Sequence, residues 1–334
     1  MHILLFLAGA VVLLFTAIDL VSTTLGVSGV GPISGRLTHW IWQGCIALHK
    51  VVRSHKMLSH IGPGLLAFGV AVWVTLVWVG WTLIFCSARD SVVDTKTRVP
   101  VTVEQRGYYV AAAMFTVGNT EYVPKGPWWR AATVLASGSG LATVTVSITY
   151  LLEVVSALVI KRTFGGYVSS LGGTPGRIIG RSWNGEKFEA LDQHLVQLTE
   201  MVETLTQQHL AYPILHYFHN DSAGSAATTR MAALSEMLLL LNAGVAKELR
   251  PSRICVEPLR DAVRQSAAMI AEEFIKPADE APEPPSLDIL RERDIPTASE
   301  EEFHAAVAEE AKTRRALLGT LHNDGWKWED VYET

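Results

Sequence analysis

Three long apolar runs constrain this chain more than any other feature. Residues 1–26, 63–86 and 131–160 are each mostly apolar, and a helix needs about 20 such residues to cross the hydrocarbon core of a bilayer. The second run holds no charge, and the third holds none before Glu153. In lipid the backbone must satisfy its own polar groups, so such runs fold as helices. The first run lacks the basic leader and the small-residue cleavage site of a signal peptide, and it reads as a retained membrane helix.

Composition agrees once it is read by region. Of the 334 residues 49% are hydrophobic and 18% charged, where soluble domains carry about 25% charged residues. The deficit lies in residues 1–160, while 180–334 read as an ordinary soluble helical protein. A net charge of −5 gives no sign of nucleic-acid binding. Cys45, Cys86 and Cys255 are too scattered for a metal site or a disulfide framework, and read as buried small hydrophobes. No serine, histidine or carboxylate stands in a context that suggests catalysis, so an enzyme is not expected.

Basic residues set the expected orientation. Arg36, Lys50, Arg53 and Lys56 lie between the first two runs, and Lys161 and Arg162 follow the third. Positive charge beside short loops marks the cytoplasmic side. The N-terminus and the 88–129 connection are then expected outside, and the tail inside. The connection 27–60 carries Leu37, Trp40, Ile41, Cys45, Ile46, Val51 and Val52 at near-helical spacing. It reads as an amphipathic helix, lying either on the inner interface or against a cytoplasmic neighbour.

The remainder divides into a glycine-rich joint at 163–184, a helical domain at 185–276, an acidic proline-rich linker at 277–298, and a last helix and tail at 299–334. Helical patterns cover 185–217, 227–249, 253–276 and 299–321. The last opens on a capping-box pattern at Ser299 to Glu302. No strand alternation or internal repeat stands out.

Between the second and third runs lies YYVAAAMFTVGNTEYVP, residues 108–124. Its first part, Tyr108 to Phe115, is apolar and helical but too short to span, and a glycine follows it. Such a segment between two spans suggests a re-entrant loop. The residues resemble the pore of the potassium-channel superfamily. Thr116, Val117 and Gly118 match the start of its filter, Glu121 stands where that family has its acid, and Val123 and Pro124 match the residues that often follow.

The resemblance implies an all-α membrane protein with three transmembrane helices, a re-entrant pore helix and filter, and a cytoplasmic α-helical domain. The pore domain would occupy 61–162, with outer helix 63–86, pore helix 104–115, filter 116–121 and inner helix 131–160. It further implies a homotetramer in a bacterial plasma membrane that passes monovalent cations, potassium or sodium, with no cofactor. Carbonyl rings from four chains would replace the ion's hydration shell. The plan also looks like a bacterial group of ion-channel-domain proteins with an extra N-terminal span and a helical tail segment such as LAYPILHYFH, residues 210–219.

Two filter positions depart from the family. Asn119 replaces the aromatic and Thr120 the second glycine, whose usual conformation strains a β-branched residue. Thr116 and Val117 are expected to keep the inner two ion sites, and the mouth formed by Asn119, Thr120 and Glu121 to be altered, with weaker potassium selectivity. A non-conducting membrane sensor or scaffold acting through the tail is the alternative.

Gly138 and Gly140 stand where the family's inner helix hinges, or where helices pack closely. Asp19 and Glu153 are acids within spans, candidates for gating or an inner-mouth charge ring, or for simple pairing. His216 and His219, three apart and so on one helical face, form with Asp221 a candidate metal or proton site. The run GGTPG at 172–176 lacks the preceding strand and the lysine of a phosphate loop.

Overall fold

Each apolar run becomes a helix that hides its polar atoms against its neighbours. The computed structural model describes residues 2–26, 31–33, 35–38, 40–42, 44, 55–188, 191–220 and 222–333, with the backbone alone at 55–59. Most of them are helical, and three helices are long and apolar enough to cross a membrane: Ile3–Leu25, His60–Cys86 and Pro127–Leu171. The chain divides into two compact units. The first holds Met1–Gly44, Gly62–Val155 and Leu210–Ile214, the second Cys45–Ile61, Ser156–His209 and Leu215–Thr334.

In the first unit, α1 (Ile3–Leu25) crosses α2 (His55–Cys86) at glycines. A Cβ on Gly9 would sit 2.5 Å from the Gly80 carbonyl, the close approach that small residues allow between membrane helices. The outer helix was expected from residue 63, but it extends back to His55. Pro63 removes one helical hydrogen bond without ending the helix.

The connection that follows holds β1 (Val92–Asp94), α3 (Val103–Met114) and β2 (Tyr122–Pro124) before α4 (Pro127–Leu171). The strands pair antiparallel, with Val93 opposite Val123. Three residues a side are too few for alternation to show in the sequence. Thr102 caps α3 reciprocally with Gln105, which satisfies two otherwise orphaned donors.

The third span is expected to end at 160 and a glycine joint to occupy 163–184. Instead α4 runs 45 residues to Leu171. Gly165 serves contact rather than flexibility, because a Cβ there would lie 2.6 Å from the Ser225 carbonyl. The break falls at Gly172 and Gly173, both at positive φ, and Thr174 then caps α5 (Pro175–Ser182).

The second unit is a helical cluster. One face of α6 (Leu191–Ala211) buries Leu191, Leu195, Leu198, Val202 and Leu205, while Met201 is only half-buried. Pro213 opens a 3-10 turn, Pro213–Tyr217, because the residue before a proline resists helical geometry. Then come α7 (Ala227–Leu239), which passes into a π turn, and α8 (Arg253–Glu273).

Residues 277–298 do not form a free linker. They include α9 (Asp288–Arg291) and bury Leu287, Leu290 and Ile295. The expected last helix divides at Glu310 into α10 (Glu300–Glu309) and α11 (Ala311–Asn323), with Arg264 Nη2 2.5 Å from the Glu310 carboxylate at the corner. Ser299 does cap α10. Arg314 and Glu236 form a fully buried pair at 2.8 and 3.0 Å. The Arg314 guanidinium also donates to the Pro282 and Glu283 carbonyls, and Tyr332 Oη donates to Glu236 at 2.8 Å, so this pair ties the 277–298 strap and the C-terminal tail to α7. Cys86 and Cys255 are half-buried free thiols rather than buried ones; Cys45 lies outside the described residues, as does 45–54 of the amphipathic pattern.

Candidate functional site

The site is built where α3 ends. At 12 residues α3 is about 18 Å long, well short of a bilayer core. Two tryptophans of α2 hold this region: Trp78 Nε1 donates to the Gly107 carbonyl at 2.9 Å, and Trp81 Nε1 to Ser139 Oγ at 2.8 Å. From α4, Ser137 Oγ donates to the Ala113 carbonyl at 2.7 Å, and Thr133 Oγ1 lies 2.9 Å from Tyr109 Oη. Gly140 lets α4 pass α3, since a Cβ there would come 2.7 Å from the Met114 carbonyl. Close packing is therefore the role its geometry shows. Gly138, two residues earlier on the same continuous helix, faces open space in the single chain.

Beyond α3 the chain turns sharply. The Thr116 and Val117 amides reach back to Ala113 and Ala112, at 3.1 and 3.0 Å. Thr116 then takes φ 54° and Gly118 φ 83°. The left-handed region is costly for a β-branched residue, so the strain expected at Thr120 falls on Thr116 instead. Thr120 is not among the described non-glycine residues at positive φ.

Asn119 shapes the way out. Its Oδ1 accepts from the amides of Glu121 and Tyr122 at 2.8 and 2.9 Å, an Asx turn made by a side chain. Thr95, just past β1, shares its hydroxyl between the Thr120 and Glu121 carbonyls at 2.9 and 2.8 Å, and its amide also donates to Glu121. The loop is thus pinned by α3 on one side and by the two-stranded sheet on the other. No described hydrogen bond ends on the carbonyls of Thr116, Val117, Gly118 or Asn119. Thr116 and Gly118 are exposed in the single chain, and Val117 is 75% exposed.

Behind the loop lies a cavity of about 340 Å³, lined by Tyr109, Thr116, Asn119, Tyr122, Thr133 and Ser137 among others. Asn119 Nδ2 is buried there without a hydrogen-bond partner among the described residues. Three carboxylates lie near the loop and its sheet. Glu121 is exposed, a hydrogen bond and charge from Lys125 hold Asp90 below its ordinary range, and the amides of Thr97 and Lys96 do the same for Asp94.

The remaining sequence candidates stand apart from this loop. Asp19 is fully buried, accepting from Trp73 Nε1 at 2.8 Å and from the Ile33 amide at 2.7 Å. It joins α1, α2 and the chain at 31–33. Glu153 is exposed on α4. His216 and His219 do not share a face of one helix. The first meets Asn323 and the second meets Asp324 and Trp326; Asp221 lies outside the described residues. Among the described residues, no three histidine, cysteine or carboxylate side chains are placed so that they could hold a metal ion together.

Thr95, Ser137, Trp78 and Trp81 are not marked as site residues by the sequence. Their signal was available, because a polar atom within an apolar run needs a partner, but a sequence does not say which one.

No family model matches the chain, and no solved structure matches it. It is similar to the uncharacterized membrane protein YdjJ of Bacillus subtilis (strain 168), 34% identical over 324 residues, which cover 96% of this chain and 94% of that protein. Identity of that extent, with three helices fit to cross a membrane, makes this a mostly helical membrane protein of the same family as YdjJ.

Proposed function

We propose that four copies of this chain surround a cation pathway lined by the backbone of Thr116, Val117 and Gly118, as in the potassium-channel superfamily. The observation that carries this reading is the run 116–118, exposed in the single chain, on whose carbonyls no described hydrogen bond ends. Backbone carbonyls are nearly always paired with protein or water. A loop held rigidly from both ends, with its carbonyls left over, suits the replacement of an ion's hydration shell. The C-terminal end of α3 adds a negative dipole end nearby.

The heptad stripe on α4 supplies the contact between copies. Positions 134, 138, 141, 145, 148, 152, 155 and 159 are all exposed, and six of the eight are valine, leucine or isoleucine. Spacing of this kind packs parallel helices against one another. Glu121 would ring the outer mouth and Glu153 the inner one, each concentrating cations. The distribution of basic residues supports an N-terminus outside and a tail in the cytoplasm of a bacterial cell, and α1 would then pack outside the pore.

Selectivity for potassium would be weak. Asn119 Oδ1 is engaged by two amides, so it offers no ligand to the ion, and the mouth is an Asx turn rather than a further carbonyl ring. The non-conducting scaffold draws on one observation, the left-handed Thr116 inside the would-be filter.

Flux from proteoliposomes under potassium, sodium and calcium gradients tests the reading, with Gly118→Asp as control. Monovalent flux that this substitution abolishes is the expected result. Tetrameric protein that passes no ion under any gradient would favour the scaffold. A potassium preference equal to an ordinary potassium channel's would reject the weak-selectivity claim.

A further inference from the structure

Lys161 is carried by α4 and buried within the second unit, where Nζ donates to the Leu215 and Phe218 carbonyls at 3.0 and 2.9 Å. Around it the fold gathers three buried imidazoles and one buried carboxylate: His209 in the last turn of α6, His216 and His219 on the segment after it, and Asp324 just after α11.

Most of these groups have defined partners. Asn323 Nδ2 donates to His216 Nε2 at 2.6 Å, which suits a neutral ring. Asp324 Oδ2 accepts from Thr228 Oγ1 at 2.8 Å, and its Oδ1 lies 3.7 Å from His219 Nδ1. The His219 ring stacks on Trp326 at 5.2 Å. His209 is the exception. Its Nε2 finds no hydrogen-bond partner among the described residues, and its ring packs against His216 and Phe274 at 5.9 and 6.0 Å. Tyr217, 5.6 Å from His216, brings no charge. A cavity of about 40 Å³ touches Lys161, His209, Thr228 and Ser266, room for a few waters and so for a proton's approach.

One carboxylate balances one ammonium. Each proton added to an imidazole is then a buried charge without a counter-ion, which is costly. We propose that this cluster is a proton-operated latch: protonating His209 and His216 releases residues 209–220 and the 324–332 tail from the end of α4. It goes beyond the pore reading and rests on it only for the consequence, a change in ion flow, since Lys161 sits on the helix that also forms the third span.

The direction follows from burial. Burial holds His209 well below its ordinary value, reinforced by Lys161 and His216 and opposed by Asp324. Burial likewise brings His216 from 6.5 down to about 4, with Asp324 opposing and Lys161 reinforcing. Imidazoles that bind protons less readily in the native state stabilise it fully above the unfolded value. For His216 that contribution is complete above pH 6.5 and is lost as the pH falls toward about 4. Burial raises Asp324, but His219 and Lys161 outweigh it and hold the carboxyl at about 2, so its own loss begins only below 3.8. Within the histidine window the released fraction grows about tenfold per pH unit for each histidine.

Hydrogen exchange of the full chain in detergent, corrected for intrinsic rates and compared at about pH 7.5 and about pH 5, tests the latch in the window where linkage acts. Peptides covering 205–220 and 318–333 should lose protection about tenfold or more at the lower pH, while peptides from 64–86 keep theirs. His216→Gln, which retains an acceptor for Asn323, and His209→Leu should each resist that loss. Unchanged wild-type protection, or equal loss in both variants, overturns the latch. Liposome flux at the same two pH values separates the two readings. Protection lost without flux at either pH would uphold the latch and reject the pore, and flux with unaltered protection would do the reverse.

Discussion

Asn119 and Asp19 each do with a side-chain oxygen what the backbone around them cannot. Asn119 satisfies two amides that follow a left-handed glycine, which lets the chain leave the loop and enter β2 without a further glycine. Asp19 is fully buried and accepts from an indole and from a backbone amide. The chain at 31–33 lies so close that a Cβ on Gly31 would come 2.3 Å from Asp19 Oδ1. Replacing one carboxylate oxygen with an amide turns an acceptor into a donor that faces another donor. Asp19→Asn should therefore lower stability by about 1–3 kcal/mol, the cost of a buried donor left unmet. Thermal unfolding in detergent measures this, and an unshifted midpoint would show that Asp19 is not the joint described.

At the scale of elements, α4 is where sequence reading and structure diverge most. Two adjacent glycines suggested a joint, yet the helix passes through both, and the pair separate by what lies beside them. Gly165 touches the backbone at Ser225, whereas nothing lies within 4 Å of a Cβ on Gly166. A glycine inside a helix costs roughly 0.5–1 kcal/mol relative to alanine when no contact requires it. Gly166→Ala should thus stabilise by about that much, and Gly165→Ala should destabilise by about 1–3 kcal/mol through overpacking. A flexible joint would make the two substitutions equivalent, so opposite signs in a chemical-denaturation series are the deciding outcome.

For the whole molecule, the exposed heptad stripe on α4 and the exposed loop at 115–118 are the surfaces that neighbouring copies would cover under the proposed pore. Gly138 and Thr145 lie within that stripe, which suits close packing between helices better than contact with lipid alone. Native mass spectrometry of the purified protein should give a tetramer. Leu141→Glu, which puts a charge into the stripe, should shift the protein to smaller species; a monomeric wild type would remove the basis for the pore.

The sequence by itself determined the membrane class, because runs of apolar residues this long have no other stable home. It also located α3 to within a residue at each end, 104–115 against Val103–Met114, since a short apolar stretch followed by Gly118 is a local signal. The helix Leu191–Ala211 likewise lies within the pattern read over 185–217, because one buried face imposes its period on the residues. Only the tertiary structure decided matters that depend on distant partners. Gly165 stands inside a helix with Ser225 against it, the left-handed turn falls on Thr116 rather than Thr120 in a loop that Thr95 pins on its far side, and residues 277–298 form a packed strap whose carbonyls Arg314 reaches. Contacts between residues tens of positions apart leave no periodic trace in a sequence, and those contacts assemble the loop and the histidine cluster.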